Sequence, residues 1–255
     1  MHHGKRFLVG MLLSLFVVGG LFAQGTSVSG FAGVGLPMSP SFLKDNYKSG
    51  LGFGGNITFK LNERTALSLG YQNQTFGSDF GDDFINNLIA TMGDEFDIGD
   101  YEDSGITPEE IADLIELGGL NAKTNIITAN LVHYLSPSSS GSGIYVTGGV
   151  GYYMMKIEEP EISINFMGFN LDLPMEDWDS ETKNKMGINA GLGFELLFGG
   201  NMFLFVEGKY HFVFTDAEDL IEIEEGEDEL LEAFGIDNGK VAFLSIVGGL
   251  RIPLN

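Results

Sequence analysis

Charged side chains are scattered through three apolar segments near the C-terminal end of the chain, on a face that otherwise carries small residues. Both signs of charge occur there, and one further lysine stands at a comparable position in an earlier segment. Charges enclosed in a narrow interior are tolerated only when they are paired or hydrated, so the pattern predicts an internal network of ion pairs. The alternative is a gate whose pairs rearrange to open a thin water path. The predicted network comprises Lys60, Glu195, Glu207, Lys209, His211 and Arg251.

Histidine is scarce, which limits acid–base catalysis. Beyond the first residues the chain has only His133 and His211, and it has no cysteine to act as a nucleophile or a metal ligand. His211 and Glu207 share one face of a predicted strand, but no serine or acid at an informative spacing completes a triad. His133 lies near a strand end on the apolar face, where an interfacial role is favoured. The sequence therefore predicts neither an enzyme nor a bound cofactor.

Carboxylates are dense in two stretches, and clustered carboxylates suit Ca²⁺ or Mg²⁺. The stretches are 94–105 (DEFDIGDYEDSG) and 218–232 (EDLIEIEEGEDELLE), and neither has the spacing of a calcium-binding loop. A solvated, self-repelling surface is the competing interpretation, and loose cation bridging to an anionic surface glycolipid also remains open. The candidate cation ligands are Asp94, Glu95, Asp97, Asp100, Glu224 and Glu225.

The elements that must position these residues are eight segments of period-two alternation, each about as long as a tilted membrane strand. In the second of them, Leu51, Phe53 and Ile57 fall on one face, whereas Asn56 and Thr58 fall on the other. The other segments repeat this division into one apolar face and one face of small or polar residues. The predicted strands are 26–36, 50–60, 65–75, 124–135, 144–156, 185–197, 202–214 and 240–252.

The direction of the apolar face separates two classes of barrel. A soluble lipocalin-like lipid binder would turn its apolar face inward and present many lysines and glutamates to water. Here the polar face is mostly Gly, Ser, Thr and Asn, which suits the filling of a narrow lumen. We therefore expect apolar residues such as Leu192 to meet lipid, where a closed barrel is the one spanning alternative to helices. A soluble periplasmic lipid binder is the third-ranked function.

The connections between the predicted strands alternate between long and short, and the acidic residues follow the same division. Of 36 acidic residues, 33 lie in the long connections. Membrane barrels have short periplasmic turns and longer outer loops, so both termini are expected in the periplasm and the acidic loops outside. A chain of this charge would repel phosphate, which excludes nucleic acid as a partner. The short connections are 61–64, 136–143 and 198–201, and the long ones are 37–49, 76–123, 157–184 and 215–239.

Short helices are expected inside the long connections. Thr107, Pro108 and Glu110 form a capping box with proline at the first helical position, and glycines at 118 and 119 end the pattern. Residues 82–92 and 226–234 have similar patterns, each followed by glycine. Their apolar stripes are expected to pack over the barrel mouth, or to form a docking surface for an extracellular partner.

Aromatic residues near the strand ends suit the two interfacial girdles of a membrane barrel. Tyr152 and Tyr153 are adjacent and cannot both face lipid, so one of them is expected to point inward. The predicted girdle residues are Phe59, Tyr71, Phe76, Tyr134, Tyr152, Phe198, Phe203, Tyr210, Phe212 and Phe214.

The beginning of the chain has the pattern of a secretory signal peptide. A cationic head, MHHGKR, precedes an almost uncharged apolar stretch at 7–22 and a small residue, Ala23. The alternative is a membrane anchor, but 16 residues are short for a span and no basic stop-transfer cluster follows. The expected division is a signal peptide at 1–23 and one barrel domain at 24–255.

Together the glycine-rich first strand (SGFAGVG), the eight alternating segments and the late GYYMM, AGLGFEL and VEGKY strands resemble the small outer-membrane barrels of the OmpA and OmpX type. The resemblance implies an all-β, antiparallel, up-and-down transmembrane barrel that is monomeric and lies in lipid in the outer membrane of a diderm bacterium. In that family roles range from structural anchoring through adhesion to small-solute passage. A structural or surface-interaction protein is therefore the first expectation, and a porin-like small-solute or ion channel is the second.

Overall fold

Eight long antiparallel strands close into a barrel in the computed structural model of this chain. The structure describes residues 25–78, 115–118, 121–136, 141–158, 161–166, 169–173, 182–216 and 239–254. The barrel strands are β1 (Thr26–Ser39), β2 (Gly50–Lys60), β3 (Thr65–Phe76), β5 (Ala122–Tyr134), β6 (Ser142–Ile157), β9 (Lys183–Phe198), β10 (Met202–Asp216) and β11 (Lys240–Leu254); the shorter strands are β4 (Ile115–Gly118), β7 (Glu161–Phe166) and β8 (Phe169–Leu173).

The barrel has up-and-down topology, because each strand pairs with the neighbouring long strands in sequence and β1 closes the sheet against β11. The order around the barrel is β1-β11-β10-β9-β6-β5-β3-β2. All eight predicted strands are confirmed, and most extend one to three residues further than the alternation indicated. No strand edge is left open in the barrel, so backbone groups pair within the sheet, with register irregularities at Pro37–Ser39 and between Phe212 and Asp216.

The register fixes the tilt of the strands. Following register partners from strand to strand, from Leu51 through Leu192 and on to Thr65, returns to β2 at Leu61, ten residues further along the strand. With strands about 4.8 Å apart and about 3.3 Å per residue, this shift corresponds to a tilt of about 40°. Leu51 and Leu61 then lie about 25 Å apart along the barrel axis, the height of the apolar band of outer-membrane barrels.

The outer wall between these two levels is apolar. Leu51 is 74% exposed and Leu192 is 58% exposed, while Thr58 and Asn189 are buried on the inner face. The predicted facing is thereby confirmed, and it is the reverse of what a water-soluble barrel requires, so the lipocalin-like alternative is not supported. The barrel is built to span a membrane.

A second, three-stranded sheet is formed by segments of two of the long connections, in the order β4-β7-β8. Its strand β4 corrects one prediction, because residues 115–118 were expected to be the last turn of a helix beginning at Thr107. Isoleucine and glycine are poor helix formers, and pairing with β7 supplies the backbone hydrogen bonds that a helix would have provided. The rest of that predicted helix and those at 82–92 and 226–234 lie outside the described residues.

One short helix, α1 (Ser41–Asn46), lies in the first long connection, where none was predicted. It follows Pro40, whose carbonyl accepts a hydrogen bond of 3.0 Å from the Lys44 N–H. The chain after the helix pairs with the end of β3, because the Lys48 N–H donates to the Gly77 carbonyl at 2.9 Å. In the described ranges, no helix has the length and apolarity needed to cross a membrane.

Candidate functional site

The end of the lumen nearer the short turns is crossed by a buried ion pair. Arg251 on β11 donates through Nη1 to the Glu195 carboxylate on β9 and to the Tyr134 hydroxyl on β5. The arginine and the glutamate are 9% and 2% exposed. Because β10 separates β9 from β11 in the sheet and β5 lies further round the barrel, these contacts join distant walls across the interior. We call this set the lower seal.

Two aromatic rings pack on the arginine of the lower seal. The guanidinium carbon of Arg251 lies 5.6 Å from the ring centroids of both Tyr145 and Phe205, within the range of a cation–π contact. Tyr134 and Tyr145 also contact each other, with centroids 5.7 Å apart. The prediction that Tyr134 belongs to an interfacial girdle is therefore wrong, because its hydroxyl is needed as a partner for a buried arginine.

Above the lower seal, the middle of the lumen is polar. Glu207 and Lys209 lie two residues apart on β10, so both point inward. They form an ion pair of 2.7 Å. Thr58 and Ser68 share a hydrogen bond of 3.1 Å between β2 and β3. Small hydroxyl and amide side chains fill the rest of this level, as the sequence indicated. They are Thr128, Asn130, Thr147 and Asn189.

The histidine predicted to join the charge network instead forms a neutral layer above it. The Tyr153 hydroxyl lies 3.0 Å from His211 Nδ1, and His211 Nε2 lies 3.2 Å from Ser245 Oγ. The imidazole is fully buried and stacks on Phe243, with centroids 4.5 Å apart and planes at 8°. Ser245 donates to the Lys209 carbonyl, so it accepts from the histidine rather than giving it a proton. In a serine activated by histidine the hydroxyl donates its proton to the imidazole, and here it does not.

Beyond the histidine layer, the part of the lumen nearer the long connections holds an apolar cluster that the sequence reasoning did not find. Phe76 and Tyr153 belong to it, which confirms the inward direction of one of the two adjacent tyrosines and makes the girdle assignment of Phe76 wrong. The signal was present in β10 and β11, where the inner face changes from polar residues to valine and phenylalanine. The members are Leu43, Tyr47, Phe76, Ile126, Tyr153, Met155, Ile157, Val213, Val241 and Phe243. We call this set the upper core.

Helix α1 closes the upper core from outside, since Leu43 and the following Tyr47 are both members. A cavity remains between α1 and the ends of β5, β6 and β11, with about 490 Å³ of space between atoms, part of it open to solvent. Its walls are almost wholly apolar, including Pro37 and Met155. Burial raises the pKa of Tyr47, which keeps its hydroxyl neutral at this mouth.

The six charged residues proposed for the lumen therefore lie at separate levels. The structure brings Arg251 and Glu195 together near the short turns and pairs Glu207 with Lys209 nearer mid-height. Lys60 is exposed at the end of β2 that leads into the short turn 61–64. His211 forms hydrogen bonds to neutral groups.

The candidate cation ligands Asp94, Glu95, Asp97, Asp100, Glu224 and Glu225 lie outside the described residues. Within the ranges that the structure describes, no group of three His, Cys, Asp or Glu side chains could hold a metal ion. His133 is exposed on the outer wall, where Nδ1 lies 3.4 Å from the Thr65 hydroxyl.

Comparison with known proteins found structural similarity without sequence similarity. No protein-family model and no curated protein sequence matches the chain. Among solved structures, it is similar to the neisserial surface protein NspA, with 10% identity and a TM-score of 0.46 over 89% of this chain and 96% of that one. A major outer membrane protein of Thermus thermophilus gives 11% identity and a TM-score of 0.47 over 90% and 99%.

The N-terminal β-barrel domain of Pseudomonas aeruginosa OprF gives 12% identity and a TM-score of 0.40, over 91% of this chain and 100% of that domain. The closed strand order described above, and not these similarities, establishes the barrel.

Proposed function

We propose that this protein is an outer-membrane barrel with a structural or surface-interaction role, closed to the passage of solutes. One observation carries the proposal: the lumen is filled at both ends. The lower seal occupies the periplasmic end and the upper core the extracellular end, each with buried side chains from several walls. A barrel of eight strands has room only for its own side chains in such an arrangement.

The location in the outer membrane follows from the apolar outer wall and from the division of the connections. A closed barrel with an outward apolar band of about 25 Å fits that membrane, and its strands would be inserted after export through the predicted signal peptide. With the short turns in the periplasm, the four long connections extend from the cell, and three of them are strongly acidic. The interaction surface would then be acidic, and lipid would be the constant partner of the barrel.

The second candidate function is an ion channel gated by the lumen charges, and the two ion pairs of the described lumen, Arg251 with Glu195 and Glu207 with Lys209, favour it. Movement of Arg251 from Glu195 toward Glu207 would remove the bridge across the lower end. The upper core contains no such alternative pairing, because its members are apolar or aromatic.

Single-channel recording of the refolded mature barrel in planar bilayers tests the choice between the two. We expect no steady conductance from the wild type. We expect none from Glu195→Gln either, because the upper core stays in place when the lower seal is broken. Ion-selective openings of the wild type, lost or altered in Glu195→Gln, would replace the closed barrel with the gated channel.

A further inference from the structure

On the outer wall formed by β3, β5 and β6, the type of outward-facing residue changes every two positions along the strands as they leave the membrane. Tyr71, Ile127 and Tyr152 are register partners on these three strands and all point outward. Two residues further out, Asn73 pairs with Asn125. The next outward positions bring together Thr75, Lys123 and Lys156 on the same three strands. The wall thus presents aromatic, amide and basic layers in that order, and we call it the layered wall.

The basic layer contains an unusual pairing. Lys123 and Lys156 are direct register partners on β5 and β6, so their Cβ atoms lie about 5 Å apart, and like charges in this position destabilise a sheet. Among the described residues, Lys123 forms an ion pair with Glu158. An ammonium group has three donors, so Lys123 can hold this carboxylate and a second anion at once. Glu158 offsets part of the repulsion at Lys123, and a second anion placed between the two lysines would offset more of it.

The amide layer below the lysines holds its side chains in place while leaving donors for a ligand. The Tyr71 hydroxyl donates to Asn125 Oδ1 at 2.7 Å, and Asn73 Nδ2 donates to the same oxygen at 3.0 Å. Both donors use the amide oxygen of Asn125, so its Nδ2 group points away from them. An ordered amide and a phenol next to a paired lysine layer are suited to sugar hydroxyls and ester carbonyls.

The opposite wall differs at the same height above the membrane. On β1 the outward residue at this height is apolar, since Met38 is 46% exposed. On β10 and β11, Lys240 forms an ion pair of 2.5 Å with Asp216, next to Phe214 and without an amide layer. Lys240 and Asp216 have nearly the same exposure as Lys123 and Glu158, at 49% and 27% against 45% and 31%.

We propose that the layered wall binds a phosphorylated, acylated sugar of the outer leaflet. A phosphate group lies between Lys123 and Lys156, the sugar meets Asn73 and Asn125, and the acyl chains run down the wall past Ile127. The assignment rests on the proposed outer-membrane location. It differs from cation bridging by the acidic loops, because the phosphate is held directly by lysine.

Native mass spectrometry of the delipidated, folded full barrel in detergent tests the site, with diphosphoryl lipid A, dephosphorylated lipid A and phosphatidylglycerol as probes. We expect diphosphoryl lipid A to bind most tightly. The double variant Lys123→Gln/Lys156→Gln should lose about fivefold in affinity per lysine. Glu158→Gln, which removes the competing carboxylate, should bind more tightly than the wild type. Lys240→Gln, the matched control on the opposite wall, should bind as the wild type does.

Three results would overturn the proposal. They are unchanged affinity of the double variant, an equal loss in Lys240→Gln, and binding of phosphatidylglycerol as tight as that of diphosphoryl lipid A, which would indicate general attraction of anionic lipid. All substituted residues lie on the outer surface, so folding of each variant can be verified beforehand by the mobility shift on heating in gel electrophoresis. The conductance test concerns the lumen and the lipid test the outer wall. Failure of lipid binding would therefore not contradict the closed barrel, and a conducting barrel would not contradict the lipid site.

Discussion

The ring of Tyr145 on β6 lies across Gly193, its register partner on β9. A Cβ atom at position 193 would come within 2.1 Å of the ring Cζ and 2.4 Å of the hydroxyl oxygen. No side chain fits there while the tyrosine keeps its place. Because Tyr145 in turn packs on Arg251, a glycine on one strand sets the position of an arginine two strands away.

Replacement of Gly193 by alanine should therefore destabilise the barrel by about 1 to 3 kcal/mol, the range for overpacking a filled interior. The measurement is the free energy of unfolding by urea in phospholipid vesicles. Gly208→Ala on the neighbouring strand is the matched control, because a Cβ there meets nothing within 4 Å. Equal effects of the two substitutions would contradict the packing of Tyr145 on Gly193.

The lower seal should behave as a coupled pair. Glu195→Gln and Arg251→Met each leave one partner buried without its counter-charge, and each should cost about 3 to 5 kcal/mol of unfolding free energy. The double variant should cost clearly less than the two single losses together, since no unpaired charge remains. A double-mutant cycle measured by urea unfolding gives the coupling. Strict additivity would mean that the two side chains do not stabilise each other.

The depth of Leu192 predicts how it responds to charge. It lies four strands along the eight-strand path that descends from Leu51 to Leu61, so it is at mid-depth in the apolar band. Leu192→Arg should destabilise the folded barrel by about 2 to 4 kcal/mol, whereas Leu61→Arg at the periplasmic edge should cost at most about 1 kcal/mol. Unfolding in vesicles measures both. Similar values would place the band elsewhere on the barrel.

The inward neighbour of Leu192 is not a neutral control for that experiment. A Cβ at Gly191 would meet the Gly208 carbonyl oxygen at 2.7 Å and a Thr147 methyl carbon at 3.0 Å. Substitution of Gly191 by serine, which the alternation alone makes a mild change, should therefore be costly as well.

The orientation in the membrane can be tested with single cysteines, since the chain has none of its own. Lys44 in α1 and Glu63 in the turn between β2 and β3 are both exposed, at opposite ends of the barrel. In intact cells a membrane-impermeant maleimide should label Lys44→Cys and leave Glu63→Cys unmodified until the outer membrane is permeabilised. The reverse pattern would place both termini outside.

The ion pair on the layered wall predicts a pH response. The hydrogen bond from Lys123 holds the pKa of the Glu158 carboxyl below its usual range, with a smaller contribution from the charge of Lys156. A lowered pKa in the folded state means that the pair stabilises the fold above the pKa of the unfolded chain and loses that contribution as the pH falls through the folded value. Carbon-detected NMR titration should show the Glu158 pKa rising more in Lys123→Gln than in Lys156→Gln.

The sequence was sufficient for the strands and their facing because alternation of period two is a local property. Leu51 and Thr58 show their opposite environments in the order of residues alone, and a one-residue shift would reverse both. Alternation also placed Glu195, Glu207 and Arg251 inside. It could not show which of them meet, because β9 and β11 are brought together through β10 by the register, and residue types on separate strands do not encode that register.

Two features lay beyond local reasoning, and a third was misassigned in spite of it. Tyr134 and Phe76 look like girdle aromatics at strand ends, yet alternation along β5 and β3 already places them on the inner face, with Val132 and Gln74. Helix α1 has six residues, too few for a periodic signal, and it is held by contacts of Leu43 and Tyr47 with the barrel. Strand β4 forms because a partner strand from another connection is available, which its own residues do not indicate.

The upper core begins at the level of Leu51 and continues outward, beyond the band that faces lipid. The barrel wall consequently has two different surroundings, lipid between the levels of Leu51 and Leu61 and water beyond Leu51. Where acyl chains surround the wall, water is absent on the outside and the small polar groups inside are what must be satisfied. Beyond that level water returns, and the valines, phenylalanines and tyrosines gather on the inside as they would in any cytosolic domain. A change in bilayer thickness should therefore strain the part of the barrel between the levels of Leu51 and Leu61. The upper core should be unaffected.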